Sequence, residues 1–306
     1  MPMRPQIMSS RSIKNGMAAF LLGVLTPGLG QIFNGQLWKG VLSYGGLLGL
    51  FLVSTAIGLA HSFMGMTIYL ILSLSAYVLV LGEAVFTAVQ QARMDHRPVH
   101  TWRSYVVGLT LLLIAVFAVR PNIPRIVGVR GYKMTADSML PTLASGDRII
   151  ADMTYYRSHT PRRDDLIVFR FPYLDHPFYI KRVIGVPGDR IKIVDQHVYL
   201  NGQQQNEPFA YYDSSTDYDP LMHKFPPVSA DELVSSMQPE WANQVLSDVD
   251  KGEIVVPPNT YFTMGDNRNH SWDSRYWGPV AGDKIFGKAL YVYWSDDKSR
   301  IGQTIH

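Results

Sequence analysis

Long apolar stretches constrain this chain more than anything else in it, because about 20 consecutive apolar residues are what a helix needs to cross a bilayer. Three stretches approach or exceed that length, at 37–60, 64–86 and 105–119, the last lengthened by Trp102 at its start. All three fall within the first 125 of 306 residues. A fourth, 17–33, is interrupted by "TPGLGQ", whose proline and glycines break a straight helix. It reads as a re-entrant or interfacial piece, with a full span as the alternative. Arg4, Arg11 and Lys14 ahead of it have the look of a signal peptide, but further apolar segments follow and no small-residue cleavage site closes the first.

Charge divides the chain at the same place. Residues 1–125 hold nine Lys/Arg against two acids, Glu83 and Asp95, whereas the remainder holds 19 against 23. Basic residues that flank apolar spans belong to a membrane domain, and they form no separate patch of the kind that binds nucleic acid. Arg93, Arg97 and Arg103 place the loop 90–103 in the cytoplasm by the positive-inside rule. The last span then exits, and the rest of the chain lies outside. Counting back, the "AHSF" turn is outside, Lys39 is inside, and the basic N-terminus is inside only if the first segment does not cross. Three spans plus a re-entrant piece is the consistent arrangement. Glu83 falls within a span, either as a functional intramembrane carboxylate or as a solvated or bundle-facing one near the helix end. The chain has no cysteine, which excludes disulfides, thiol catalysis and cysteine-held metal.

From about residue 126 the texture changes to short β-rich runs, "DLIVFRF", "FYIKRVIGV", "RIKIVDQHVYLNG" and "GKALYVYW", separated by Gly, Pro and Asp. The expected organisation is a membrane domain, 1–125, and a β domain, 126–306, carrying a polar, aromatic insertion at about 203–260. A helical period is seen only over 229–246. Asp213, Asp217 and Asp219 lack the glycine and closing glutamate of a calcium loop and read as a solvated turn. The nine histidines show no metal-ligand spacing.

Three pieces of the β domain suggest chemistry. In "TADSMLPTL" a serine, Ser138, sits in an apolar, proline-containing segment just after the last span. In "YIKRVIGVPGD", strand alternation puts Lys181 on one face with Tyr179 and Val183, and Arg182 on the other with Ile180 and Ile184. Apolar neighbours desolvate a lysine and favour its neutral amine, moving it from ~10.4 towards the ~7–8 of a useful general base. A snorkelling surface lysine is the plain alternative. A serine that a neutral lysine can activate is what favours the first reading. The third piece, "MGDNRNHSWDSRYWGP", packs Asp266, Arg268, Asp273 and Arg275 between two glycines, a density that suggests paired, partly buried ions fixing a loop.

Together "SMLPTL", "GDRII", "YIKRVIGVPGD" and "GDNRNHSWDSR" resemble the bacterial type I signal peptidases in order and spacing, over about residues 120–295 without much of 203–250. The resemblance implies α-helical transmembrane segments followed by a mostly antiparallel β catalytic domain, and a serine/lysine dyad with Ser138 as nucleophile and Lys181 as general base. It matches Ser271 to a serine that hydrogen-bonds and orients the lysine, Arg182 and Asp266 to a supporting ion pair, and Asp273 and Arg275 to a second pair beside Gly265. Met139 would line a substrate groove. No metal or cofactor is implied. Partners would be signal peptides of exported preproteins, the lipid bilayer and, by proximity, the secretion translocon. The location would be the bacterial cytoplasmic membrane, with the chain multi-pass and its catalytic domain outside. One departure stands out: many members have serine or glycine two residues before the nucleophile, where serine helps hold the oxyanion, and this chain has Ala136. "PGLGQIFNGQLWKG" is similar to small membrane-hairpin modules of other bacterial proteins.

Other readings fit less well. Self-cleaving repressors of the LexA type share the serine/lysine chemistry but are soluble, carry a DNA-binding domain and lack the "GDNR…DSR" loop. A catalytically silent membrane scaffold predicts decay at Ser138 or Lys181, and both are intact. "SDDK" at 295–298 formally matches the Ser-x-x-Lys of penicillin-recognising enzymes but lacks their companion motifs.

Overall fold

The structure is a computed structural model that describes residues 10–94, 102–119, 122–170, 178–213, 220–226, 243 and 245–305. It divides at Val127/Gly128 into a helical unit and a β unit.

In the helical unit, α1 (Ser10–Leu25) ends where Thr26, Pro27 and Gly28 turn the chain into the short α2 (Leu29–Phe33). Gly28 has φ 93°, and a Cβ there would lie 2.2 Å from the Gly40 carbonyl oxygen. Only glycine lets the turn pass this close to the start of α3 (Leu37–Ala56). Next comes α4 (Phe63–Arg93), whose N-cap Ser62 accepts from the Gly65 amide. At 20 and 31 residues, α3 and α4 are long and apolar enough to cross a bilayer. Their apolar side chains point outward, with Leu42, Leu79 and Phe86 all more than 60% exposed. That distinguishes them from the buried helices of a soluble core and associates the unit with a membrane.

The third expected span is helical as α5 (Trp102–Leu113), then widens into a π-helical stretch, Ile114–Val119, followed by α6 (Ile123–Val127). Among the described residues only α3 and α4 are single helices of spanning length. Arg97, one of the three arginines used for orientation, lies outside the described residues. Glu83 is not isolated: it accepts from Lys39 Nζ at 2.5 Å, Thr87 Oγ1 at 3.0 Å and Gln31 Nε2 at 3.1 Å. Gln31 also donates to the Val80 carbonyl, and Asn34 to that of Ala84, so the polar residues of the "GLGQIFNG" turn pin α2 to α4.

The β unit is antiparallel throughout its named strands. Its larger sheet contains β1 (Val129–Lys133), β2 (Arg148–Asp152), β3 (Leu166–Arg170), β4 (Phe178–Gly185), β11 (Thr260–Met264), β12 (Val280–Ala281) and β13 (Ile285–Trp294), in the order β1-β2-β13-β3-β4-β11-β12. The smaller sheet is formed by β5 (Arg190–Val194), β6 (His197–Leu200), β7 (Gln203–Gln204), β8 (Lys224–Phe225), β9 (Val249–Asp250) and β10 (Glu253–Val255). Strand β4 is covered on both faces from Ile180 onward. Tyr179 and Val183 pack with Ile167, Phe169 and Trp277, while Ile180 packs in a different cluster with Leu166 and Val168, as alternation requires.

The stretch 203–260 is not a detachable insertion at its ends. Strand β10 pairs with β5, and Leu221, Phe225, Val245, Ile254 and Val256 share one core with Ile191 and Val198. Most of the helix expected over 229–246, with Asp217 and Asp219, lies outside the described residues. Asp213 is described and faces His270 at 3.2 Å. Among the described residues no group of three or more His, Cys, Asp or Glu is placed to hold a metal.

Candidate active site

Ser138 stands on the loop 134–147 between β1 and β2. The base of this loop is closed by Met134 N–H donating to the Asp147 carbonyl and Gly146 N–H to that of Met134. Its apolar residues turn inward: Met139 and Leu143 are fully buried with Ile149, Leu166 and Val168. This corrects one expectation. Met139 offers no surface to a substrate; its side chain anchors the loop from beneath, as a large apolar group next to a polar serine does when the loop has a core to grip.

Lys181 reaches this loop from β4. Its Nζ is 2.7 Å from Ser138 Oγ, and the residue is 2% exposed. Burial pushes its ammonium down to about 8, helped by the positive charge of Arg275 and opposed by the carboxylates of Asp273 and Asp266. The alternative of a snorkelling surface lysine is excluded.

The loop 264–279 supplies the rest. Asp273 and Arg275 are wholly buried and paired twice, Nε to Oδ1 and Nη2 to Oδ2, each at 2.9 Å. Burial alone would raise the Asp273 carboxyl, but Arg275 outweighs it and holds the group below its ordinary value. Asp273 Oδ2 also accepts from the Gly265 amide at 3.0 Å and the Ser271 hydroxyl at 2.6 Å. Ser271 therefore departs from the resemblance. Its proton goes to Asp273, and the described hydrogen bonds include none between Ser271 and Lys181. It abuts Gly265, where a Cβ would lie 2.2 Å from Ser271 Oγ and 2.3 Å from the Ser138 carbonyl oxygen. Glycine is required where the Ser138 carbonyl and the Ser271 side chain approach this closely.

On the opposite face of β4, Arg182 and Asp266 form a bidentate pair with both bonds at 2.8 Å and both side chains at most 2% exposed. Thr142 of the Ser138 loop donates to the same Asp266, and Phe209 lies against the guanidinium at 4.0 Å. Of the other residues the resemblance names, Arg182 with Asp266 and Asp273 with Arg275 form the two buried ion pairs, Gly265 sits at the close approach to the Ser138 carbonyl, and Ser271 is bonded to Asp273 rather than to Lys181.

Several contributors escaped sequence reasoning. Asn267, inside the same motif, donates from Nδ2 to the Asp137 carbonyl at 3.0 Å and from its amide to the Ser138 carbonyl at 3.2 Å. Arg268 pairs with Glu207 at 2.7 and 2.9 Å, tying the stretch after β7 to the loop. Arg300 near the C-terminus binds Asp147 at 2.8 and 2.9 Å and the carbonyls of Pro141 and Thr142. Asn267 was within reach of the motif; Glu207 and Arg300 gave no local signal.

With this geometry in place, comparison with known proteins is specific. The family described as "Signal peptidase, peptidase S26" matches residues 102–294. Signal peptidase IB of Staphylococcus aureus is 30% identical over 190 residues, 62% of this chain and 88% of that protein. A probable signal peptidase I-2 of Synechocystis is 29% identical over 207 residues, 66% of this chain and 78% of its own. A solved signal peptidase I from Enterococcus faecalis aligns with 42% of this chain and 97% of its own, at 25% identity and a TM-score of 0.27. The family match spans both Ser138 and Lys181, and the chain belongs to the peptidase S26 family of signal peptidases, the hydrolases that remove signal peptides.

Proposed function

We propose that this protein is a membrane-bound serine endopeptidase that removes signal peptides from exported preproteins with Ser138 and Lys181 as its dyad. The observation that carries the reading is the 2.7 Å contact between Ser138 Oγ and the buried Lys181 Nζ, whose ammonium is pushed down to about 8. A lysine neutral for part of the time near pH 7 can take a proton, which an ordinary lysine cannot do.

In the forward step the neutral Lys181 amine takes the Ser138 proton as Oγ bonds to the scissile carbonyl carbon. The carbonyl π pair moves onto oxygen, and backbone N–H groups stabilise that charge. Collapse breaks the C–N bond, and the Lys181 ammonium returns its proton to the leaving amine. A water then gives a proton to Lys181 and attacks the ester. When this second intermediate collapses, the Ser138 oxygen leaves and recovers its proton from Lys181.

The strand pattern supports a binding mode. Strand β11 pairs with β4 only at residues 182, 183 and 185. No described strand covers that side of residues 178–181, and β1 is an edge strand leading into the Ser138 loop. An extended peptide adding to these edges delivers its scissile bond to Ser138. Small residues at the first and third positions before the cut, as in Ala-x-Ala, fit the signal-peptide cleavage pattern.

The membrane arrangement proposed with this function has three spans and a re-entrant α1–α2, in the bacterial cytoplasmic membrane. Loop 90–103 is cytoplasmic and the β unit external, close to the translocon. The test is cleavage of a preprotein by the solubilised full chain, with N-terminal sequencing of the product and Ser138→Ala as control. Cleavage after Ala-x-Ala that vanishes in Ser138→Ala supports the reading; cleavage elsewhere, or unchanged in the variant, defeats it.

A further inference from the structure

The oxyanion needs a donor, and Ala136 removes the side chain that supplies one in many relatives of this chain's motif. What remains next to the nucleophile is the Ser138 N–H, and the described hydrogen bonds include none that it donates. Its direction depends on the peptide unit between Asp137 and Ser138. That unit is planar and trans, so its N–H points opposite to its C=O.

Asn267 grips this carbonyl through Nδ2 at 3.0 Å. The same residue donates its backbone N–H to the Ser138 carbonyl at 3.2 Å, so one asparagine fixes the peptide units on both sides of the nucleophile. The Asp137 carbonyl also receives the Leu140 N–H at 3.1 Å, which makes the segment a turn with Ser138 at its second position. Asn267 therefore adds a second hold, from outside the turn, on the carbonyl that closes it. Asn267 is 2% exposed, and its Oδ1 is buried with no hydrogen-bond partner.

We infer that Asn267 is a positioning residue for the oxyanion hole: its side-chain amide holds the 137–138 peptide so that the Ser138 N–H faces the developing charge, a role that carries more weight with alanine than with serine at position 136. This inference rests on Ser138 as the nucleophile proposed above. A serine introduced at position 136 supplies a second donor, and the chain then depends less on how exactly the first is aimed. The two positions are therefore energetically coupled.

The test is a double-mutant cycle of Asn267→Ala and Ala136→Ser in the full-length protein, read as the single-turnover rate constant on a signal-peptide substrate with enzyme in saturating excess. That constant is insensitive to a fraction of dead enzyme. The expected result is a fall of more than threefold in Asn267→Ala with an unchanged half-saturating enzyme concentration, and a larger gain from Ala136→Ser in that background than in the wild type. A fall within threefold overturns the inference, as does an equal or smaller gain from Ala136→Ser in the mutant background. If Asn267→Ala does not fold, Asn267→Leu, close in volume and without polar atoms, gives the same reading with the same criteria. Ser138→Ala run in parallel separates the two levels: cleavage persisting there removes the nucleophile assignment itself, whereas its loss beside an unaffected Asn267→Ala removes only the role of Asn267.

Discussion

Lys181 and Arg182 are neighbours on one strand, equally buried at 2% exposure, and are treated in opposite ways. On its face of β4, Arg182 meets a carboxylate in a bidentate pair and has an aromatic ring against its guanidinium. On the other face, the hydrogen bond that Lys181 makes among the described residues is to a hydroxyl, with Asp273 acting at longer range and already bonded to Arg275. The paired cation holds the loop. Lys181 is destabilised as a cation, which is what the role of base proposed for it requires. Sequence proximity says nothing of this division; the face of the strand decides it.

The largest effects expected are at the unpaired face. Ser138→Ala and Lys181→Met should each remove preprotein cleavage, measured on protein shown to remain folded. Lys181→Met should at the same time raise the melting temperature of the β unit at neutral pH. The sign follows from linkage. A lysine lowered to about 8 in the fold and free to titrate near ~10.4 when unfolded binds fewer protons in the folded state between those values. Its burial therefore lowers stability fully below pH 8, and the cost fades as pH rises towards ~10.4. The gain from Lys181→Met should shrink over the same window; a gain independent of pH would mean that packing, not charge, is responsible.

Gly265→Ala comes next. The added methyl would lie 2.2 Å from Ser271 Oγ and 2.3 Å from the Ser138 carbonyl oxygen, so the nucleophile loop must shift. A displacement of about 1 Å at the nucleophile costs on the order of 10²-fold in rate. Single-turnover kinetics showing less than a tenfold loss would show that the loop tolerates this movement.

At the paired face the expected effect is on stability more than on chemistry. Arg182→Met leaves the buried Asp266 charge without its partner, a loss of about 3–5 kcal/mol. Replacing both, Arg182→Met with Asp266→Leu, should recover most of it. Chemical denaturation checks both statements, and the rate per folded molecule should change far less than in Lys181→Met. The smallest effect belongs to Arg300→Ala, which frees the far side of the nucleophile loop from its hold on Asp147, Pro141 and Thr142. A loss of roughly tenfold in rate, partly restored in Arg300→Lys, is expected, because lysine keeps the charge but not the forked contact.

The sequence disclosed the β texture and pointed to Ser138 and Lys181, which the fold brings to 2.7 Å, because period-two alternation and four ordered motifs are local signals. Alternation separated Lys181 from Arg182 correctly, yet it left open which face is covered, and here both are. Met139 was misplaced because a motif shows that an apolar residue adjoins the nucleophile, not whether it points down or out. Ser271 was matched to the lysine, whereas its proton lies with Asp273 two residues on. The smaller sheet drew on 203–260 through pairings such as β10 with β5, whose partners stand some 60 residues apart and share no local pattern. Arg300 lies outside the matched family region, 153 residues from Asp147. Contacts of that reach depend on the closed fold.

The central claim is that Lys181 works as a base because the fold leaves its charge unpaired, and the pH dependence of kcat/KM on a signal-peptide substrate tests it most directly. That ratio reports the free enzyme's essential base. The account predicts a rising limb with its midpoint at about 8, carried by a single group. A limb near the ordinary lysine value of ~10.4, or a rate that does not vary between pH 6 and 10, would contradict it.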